Sequence, residues 1–142
     1  MIALLVGLVS TLFMTGLVWF VQVVAYPLLG QVPEVGYREY QRRHMVRTLS
    51  LVTVPMVLEG ASGLALLAGA VPGVRGAAAL AFALSLLIWG CTLTHEAPLH
   101  FLLLSGFSPA AHARLVRANW IRTAAWTARS ALLVWMLVHA TR

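Results

Sequence analysis

Apolar residues run in four long stretches along the chain, and polar residues gather between them. The first stretch, 2–29, carries no charged side chain. It exceeds the roughly 20 residues that a helix needs to cross a bilayer. The second, 48–70, carries one charge, Glu59. Pro72 and Gly73 then mark a turn. The third, 76–104, is uncharged up to Thr94 and continues as an apolar helix through His95, Glu96 and His100. Ser105-Gly106-Phe107-Ser108-Pro109 reads as a helix stop followed by a start, with Ser108 as N-cap and Pro109 at the first helical position. The fourth stretch is 119–138. Ahead of the second and fourth, 35–47 and 109–118 read as polar helices fused to the spans. Spans two, three and four should therefore project about two or three turns beyond the membrane. The pattern predicts an all-α membrane protein with a single domain over 1–142, a four-transmembrane-helix bundle.

Composition agrees. The chain is 61% hydrophobic and 10% charged, with a mean hydropathy of +0.87. Soluble domains carry roughly 25% charged residues. A soluble chain this short has too little interior to hide so much apolar surface, whereas lipid can cover it. No Lys or Arg precedes the first stretch and no A-x-A site follows it, so it reads as a retained helix and not a cleaved signal.

Charge sets direction. Ten arginines and no lysine stand against four acids, Glu34, Glu39, Glu59 and Glu96, for a net charge of +6. Arg38, Arg42, Arg43 and Arg47 flank the first loop, and Arg114, Arg117 and Arg122 the third. Only Arg75 lies at the second loop and only Arg142 at the C-terminus. The positive-inside rule puts loops one and three in the cytoplasm and both termini outside, for a multi-pass membrane protein. Trp120 and Trp135 lie about 22 Å apart along one helix, as interfacial anchors would. Arginines beside apolar spans point to membrane lipids as partners, not to nucleic acid, because no exposed basic groove with stacking aromatics can be drawn. Cys91 is alone inside a span and offers neither an intrachain disulfide nor a cysteine metal cluster. Small residues at spacing four, Ala61, Ala65 and Gly69, then Ala124 and Ala128, suit close packing within one bundle. They leave a homo-oligomer open.

The two halves rhyme. Pro27-Leu28 matches Pro98-Leu99, and His44-Met45-Val46-Arg47-Thr48 matches Asn119-Trp120-Ile121-Arg122-Thr123. Two duplicated helical hairpins would follow, related by a pseudo-twofold axis along the membrane normal. Chance similarity among apolar segments would give the same rhyme.

Polar groups inside spans are costly, so they face the bundle interior and mark either function or a structural pair. Two levels emerge. Glu59 and Arg129 are each other's only deep partners, which predicts a buried ion pair. Nearer the cytoplasmic boundary fall Gln22, His44, Glu96, His100, Asn119 and Arg122. Glu96 and His100 share a helix face at spacing four. Asn119, Arg122, Trp126 and Arg129 form one polar-aromatic stripe. Pro98 should kink the third span and free the carbonyl of Thr94. His95 points about 100° away from Glu96. Two imidazoles and a carboxylate, His44, His100 and Glu96, suit a first-row transition metal, and the two histidines suit a haem instead. Each of these residues also reads as an ordinary satisfied polar group at a helix end.

The strings LVWFVQVVAYPLL, VPMVLEG, APLH and LVRANWIRTAAWTARS resemble a group of small bacterial four-helix integral membrane proteins to which no activity is assigned. The resemblance covers most of the chain and implies the fold. More distantly, the chain is similar to the anthrone-oxygenase-like domain-of-unknown-function family, also small four-helix membrane proteins. The resemblance implies a histidine where this chain has Ala25, beside Tyr26-Pro27, so a metal site that used it would lack that ligand here.

The sequence thus leads to a membrane-embedded binding or redox protein with a polar chamber near the cytoplasmic leaflet. It would take a small lipophilic molecule or a cofactor. Glu96, His44 and His100 would serve as catalytic groups or metal ligands, and Gln22, Asn119, Arg122, Trp126 and Arg129 as substrate-binding groups. A non-catalytic membrane subunit or scaffold, and a small transporter or proton-linked channel gated by Glu59 and Arg129, are the alternatives.

Overall fold

The computed structural model of the chain describes residues 1–141; Arg142, counted above in the charge bias, lies outside them. The fold is all-helical. Four long helices follow one another: α1 Ile2–Leu29, α2 Tyr37–Leu67 and α3 Arg75–Leu103, then α4 Pro109–Ala140. The first three are long and apolar enough to cross a membrane. The fourth is longer still, at 32 residues, but carries Arg114, Arg117, Arg122 and Arg129. Consecutive helices pack side by side and α1 closes the ring against α4. Each helix therefore has two neighbours and one partner across the centre.

Local signals explain the helix ends. The expected second span runs to Ala70, whereas α2 stops at Leu67 because Gly69 takes a left-handed φ of +92°. Ser108 is extended and accepts a hydrogen bond from the Ala111 amide at 3.3 Å, with Pro109 opening α4 behind it.

The prolines of α1 and α3 act in an unexpected way. Pro98 does not simply interrupt the helix. A π-helical turn, Thr92–Glu96, precedes it, and the Ala97 amide donates to the Thr92 carbonyl. The same device stands in α1, where Val21–Ala25 is π-helical and the Tyr26 amide donates to the Val21 carbonyl ahead of Pro27. Each wide turn inserts one residue into the helical repeat. Buried positions on α3 accordingly step by five from Cys91 to Glu96. His95 is left exposed and its neighbour Glu96 is turned inward. The two hairpins differ elsewhere: Arg122 faces the interior, whereas its counterpart Arg47 is exposed.

Five layers stack along the bundle. Apolar clusters around Leu4 and Met136 at one end, Met14 and Trp126 in the middle, and Tyr37 and Leu115 at the other end alternate with two polar layers. All four helices contribute to each of the three apolar clusters. The small-residue stripe does not mediate the packing expected of it, since Ala61, Gly69, Ala124 and Ala128 are exposed. Close approach occurs instead at Gly7, where a Cβ would meet Ser62 Oγ at 2.8 Å, and at Gly63, where it would meet Phe82 at 2.9 Å.

Candidate functional site

The deeper polar layer is a closed ion pair. Arg129 Nη1 lies 3.1 Å from Glu59 Oε1, with the side chains 0% and 2% exposed. The pair joins α2 to α4 across the centre of the ring. Trp126 Nε1 donates to both carboxylate oxygens at 3.1 Å. Arg129 also donates through Nε to the Ala81 carbonyl at 3.2 Å and through Nη2 to the Glu59 carbonyl at 3.4 Å. Buried charges of this kind persist when hydrogen bonds satisfy their remaining capacity.

The other polar layer is a chain of hydrogen bonds through all four helices. Tyr26 Oη donates to Glu96 Oε2 at 2.8 Å. That bond uses the only phenolic proton, so Tyr26 Oη must accept from His100 Nε2, 3.0 Å away. His100 Nδ1 in turn accepts from Gln41 Nε2 at 3.0 Å, and the His100 carbonyl accepts from the same nitrogen at 3.3 Å, which fixes the amide orientation. His100 is thereby held as the neutral Nε2–H tautomer. On the other side of Glu96, Arg122 Nη1 lies 3.2 Å from Oε2 and donates to Asn119 Oδ1 at 3.1 Å. Asn119 Nδ2 donates to Gln22 Oε1 at 2.8 Å, and Gln22 Nε2 to the Val116 carbonyl at 3.3 Å. The Arg122 guanidinium lies 5.1 Å from the centre of the Trp126 ring. Trp126 thus stands between the two ion pairs, stacked on one and hydrogen-bonded to the other.

A cavity of about 400 Å³ opens beside this network, between α2 and the other three helices. Its apolar wall comes from Met14, Leu17, Val18 and Val21 of α1 and Met45, Leu49, Val52 and Met56 of α2. His44, Glu96, His100, Asn119 and Arg122 line its polar end, and Trp126 lines it too. Lining residues Val46, Leu49 and Phe101 are 60%, 65% and 64% exposed, so the wall runs out onto the apolar outer surface. Two buried atoms of the polar end lack a partner: Glu96 Oε1 and Arg122 Nε.

The structure brings some of the sequence-predicted groups to the cavity and places others away from it. Arg129 is not on the cavity wall; it is consumed by Glu59 on the far side of Trp126. Gln22 is also off the wall, behind Asn119, and positions that side chain. His44, Glu96 and His100 line one cavity but are not arranged as a three-ligand metal set, and no group of three or more His, Cys, Asp or Glu side chains among the described residues is placed to hold a metal ion. The reason is local: both His100 nitrogens and one Glu96 oxygen are engaged by Gln41, Tyr26 and Arg122. The same engagement leaves no His100 nitrogen free for a haem iron. The His44 ring packs 5.7 Å from that of His100.

Two members of the network were not expected. Tyr26 is its hub and is 3% exposed, and Gln41 is fully buried. Tyr26 stands four residues from Gln22 and Gln41 three from His44, spacings that place each pair on one helix face.

No family model, no curated protein and no solved structure matches this chain.

Proposed function

We propose that this protein is a membrane-embedded binding protein that takes a small lipophilic molecule into the cavity between α2 and the other helices. The observation that carries this reading is the cavity itself: an apolar chamber with one polar end that keeps unpartnered, buried hydrogen-bonding atoms and a wall continuous with the apolar outer surface. Ligand pockets combine these features, a mostly apolar lining and a few convergent polar groups. In this reading all four helices span the bacterial inner membrane, with loops one and three cytoplasmic and both termini outside. The interior arginines of α4 fit a spanning helix because Arg122 and Arg129 meet Glu96 and Glu59 inside the bundle and not lipid. The matching π turns ahead of Pro27 and Pro98 favour two duplicated hairpins.

Glu96, His44 and His100 are the groups available for proton transfer to a bound molecule. Asn119, Arg122 and Trp126 supply orientation. Redox chemistry would require a cofactor in the same chamber, with His44 as its protein contact. The scaffold reading draws on the Glu59–Arg129 pair, whose hydrogen bonds are all internal. The channel reading needs a path through Glu59, yet the cavity ends at Met56 and Trp126.

Organic extraction of the purified chain followed by mass spectrometry tests the binding reading. The wild type should carry a small lipophile close to one per chain. Leu49→Trp, a change at an exposed position on the cavity wall, should lack it. Equal content in both, or none in either, refutes the reading.

A further inference from the structure

Helix α2 is held differently from the other three. On α1, α3 and α4, successive buried residues are never more than five positions apart. On α2 none is buried between Gln41 and Met56. Over that stretch its inner side covers the cavity, through Met45, Thr48 and Val52, and not a packed neighbour. Its outer side is apolar and exposed at Leu51 and Val54.

The stretch is a strap with one anchor at each end. At the loop-one end Tyr37 is buried and stands edge-on to Phe107 at 5.2 Å. Gln41 Nε2 donates to His100 Nδ1 at 3.0 Å and to the His100 carbonyl at 3.3 Å. Among the described residues these are the only hydrogen bonds that join 37–55 to another helix. At the other end the helix carries a weak point. Pro55 lies inside α2. It has no amide to donate to the Leu51 carbonyl, and its ring crowds that oxygen. Pro27 and Pro98 each follow a π turn that reroutes the backbone hydrogen bonds, whereas α2 contains none. Just ahead of Pro55, Ser50 Oγ donates to the Arg47 carbonyl at 2.9 Å and Thr53 Oγ1 to the Leu49 carbonyl at 2.6 Å. Such side-chain bonds compete with the helix ladder and favour bending. The weak point coincides with the closed end of the cavity at Met56 and Trp126.

Resting on the binding function proposed above, we infer that residues 37–54 of α2 are the mobile wall of this cavity. They swing outward about Pro55 to admit a lipophile sideways, and Gln41 latches them shut on His100. The swing disturbs no buried side chain between latch and hinge. It leaves the Glu59–Arg129 pair in place beyond Pro55. The latch needs His100 Nδ1 as an acceptor, so it closes only on the neutral tautomer that donates to Tyr26.

Double electron–electron resonance on the full chain in phosphatidylcholine nanodiscs tests the swing. Spin labels enter by cysteine substitution, with Cys91→Ala as background. One pair joins the exposed positions Arg47 on the strap and Arg117 on α4. The other joins the exposed positions Leu64 and Val134, on the far side of Pro55. Gln41→Leu removes two hydrogen bonds and should raise the long-distance population of the first pair about tenfold. Adding Pro55→Ala, which restores the missing helical donor, should return it toward the wild-type distribution. The second pair should keep one distance throughout. Identical distributions for the first pair in wild type and Gln41→Leu overturn the mobile wall. Broadening of both pairs together, or a shift that Pro55→Ala does not reverse, overturns it too. No ligand is added, so these distances decide on the strap whatever the extraction shows. A lipophile carried by the wild type should leave Gln41→Leu about tenfold faster on dilution into fresh detergent. Equal release rates overturn the strap as the cavity's gate, and absence of any lipophile overturns the binding function alone.

Discussion

Arg129 has no solvent exposure, and its hydrogen bonds reach the carboxylate and backbone carbonyl of Glu59 on α2 and the Ala81 carbonyl on α3. Removing either member of the Glu59–Arg129 pair strands the other, which typically costs about 3–5 kcal/mol. Glu59→Gln with Arg129→Gln should therefore be milder than the sum of the single changes, measured as thermal stability in detergent. Additive losses would mean that the two side chains do not act as a pair. This pair was legible in the sequence because the spans hold so few deep charges that Glu59 and Arg129 had no one else to meet. The convergence of Glu96, His100, Asn119 and Arg122 was legible for a similar reason, their common distance from the loops. Tyr26 and Gln41 were not. A tyrosine in an apolar run looks like ordinary packing, and Gln41 lies in a segment whose arginines mark it as solvated. Their roles depend on tautomers and donor directions that residue type alone does not carry. The hydrogen bonds that hold both His100 nitrogens were hidden for the same reason, since composition lists ligands without showing which of them are already engaged.

Glycines divide the elements into places where backbones meet and places where they do not. On α2, a Cβ at Gly63 would come within 2.9 Å of Phe82, whereas nothing lies within 4 Å of one at Gly60. Gly60→Ala should raise the thermal midpoint by the helix-propensity difference, about 1 kcal/mol. Gly63→Ala should gain the same propensity and lose roughly 1–3 kcal/mol to overpacking, for a net fall. Equal shifts in the two variants would place the α2–α3 contact elsewhere. The helices themselves were readable from the apolar runs and the Ser108-Pro109 start. Their internal phase was not. A strict 3.6-residue repeat has no means of announcing a π turn, so the five-residue step between Cys91 and Glu96 emerges only when the backbone is traced. The spacing-four small residues misled in the opposite sense: they fit a packing seam in periodicity and face outward in space.

At the scale of the whole molecule, three apolar clusters alternate with two polar layers along the bundle. The arrangement predicts topology through its arginines. With the buried Cys91 as background, single cysteines at the exposed positions Gln31 and Ala70 report on opposite ends of the bundle. A membrane-impermeant thiol reagent applied to intact cells should modify Ala70→Cys and spare Gln31→Cys; the reverse pattern inverts the protein. The tie across the centre reaches further than stability. Glu59 belongs to the first hairpin and Arg129 to the second, so neither hairpin can neutralise its own deep charge. A lone charge at that depth costs about 2.5–3.5 kcal/mol on insertion scales. If the chain is cut in the exposed turn between Pro72 and Gly73, each fragment becomes an orphan that membrane proteases should clear. Co-expression of the two fragments should restore the steady-state level of both, and that mutual rescue should disappear when either partner carries the glutamine substitution. The ion pair would then serve as the bundle's own inspection mark, by which a cell tells an assembled molecule from a half-made one.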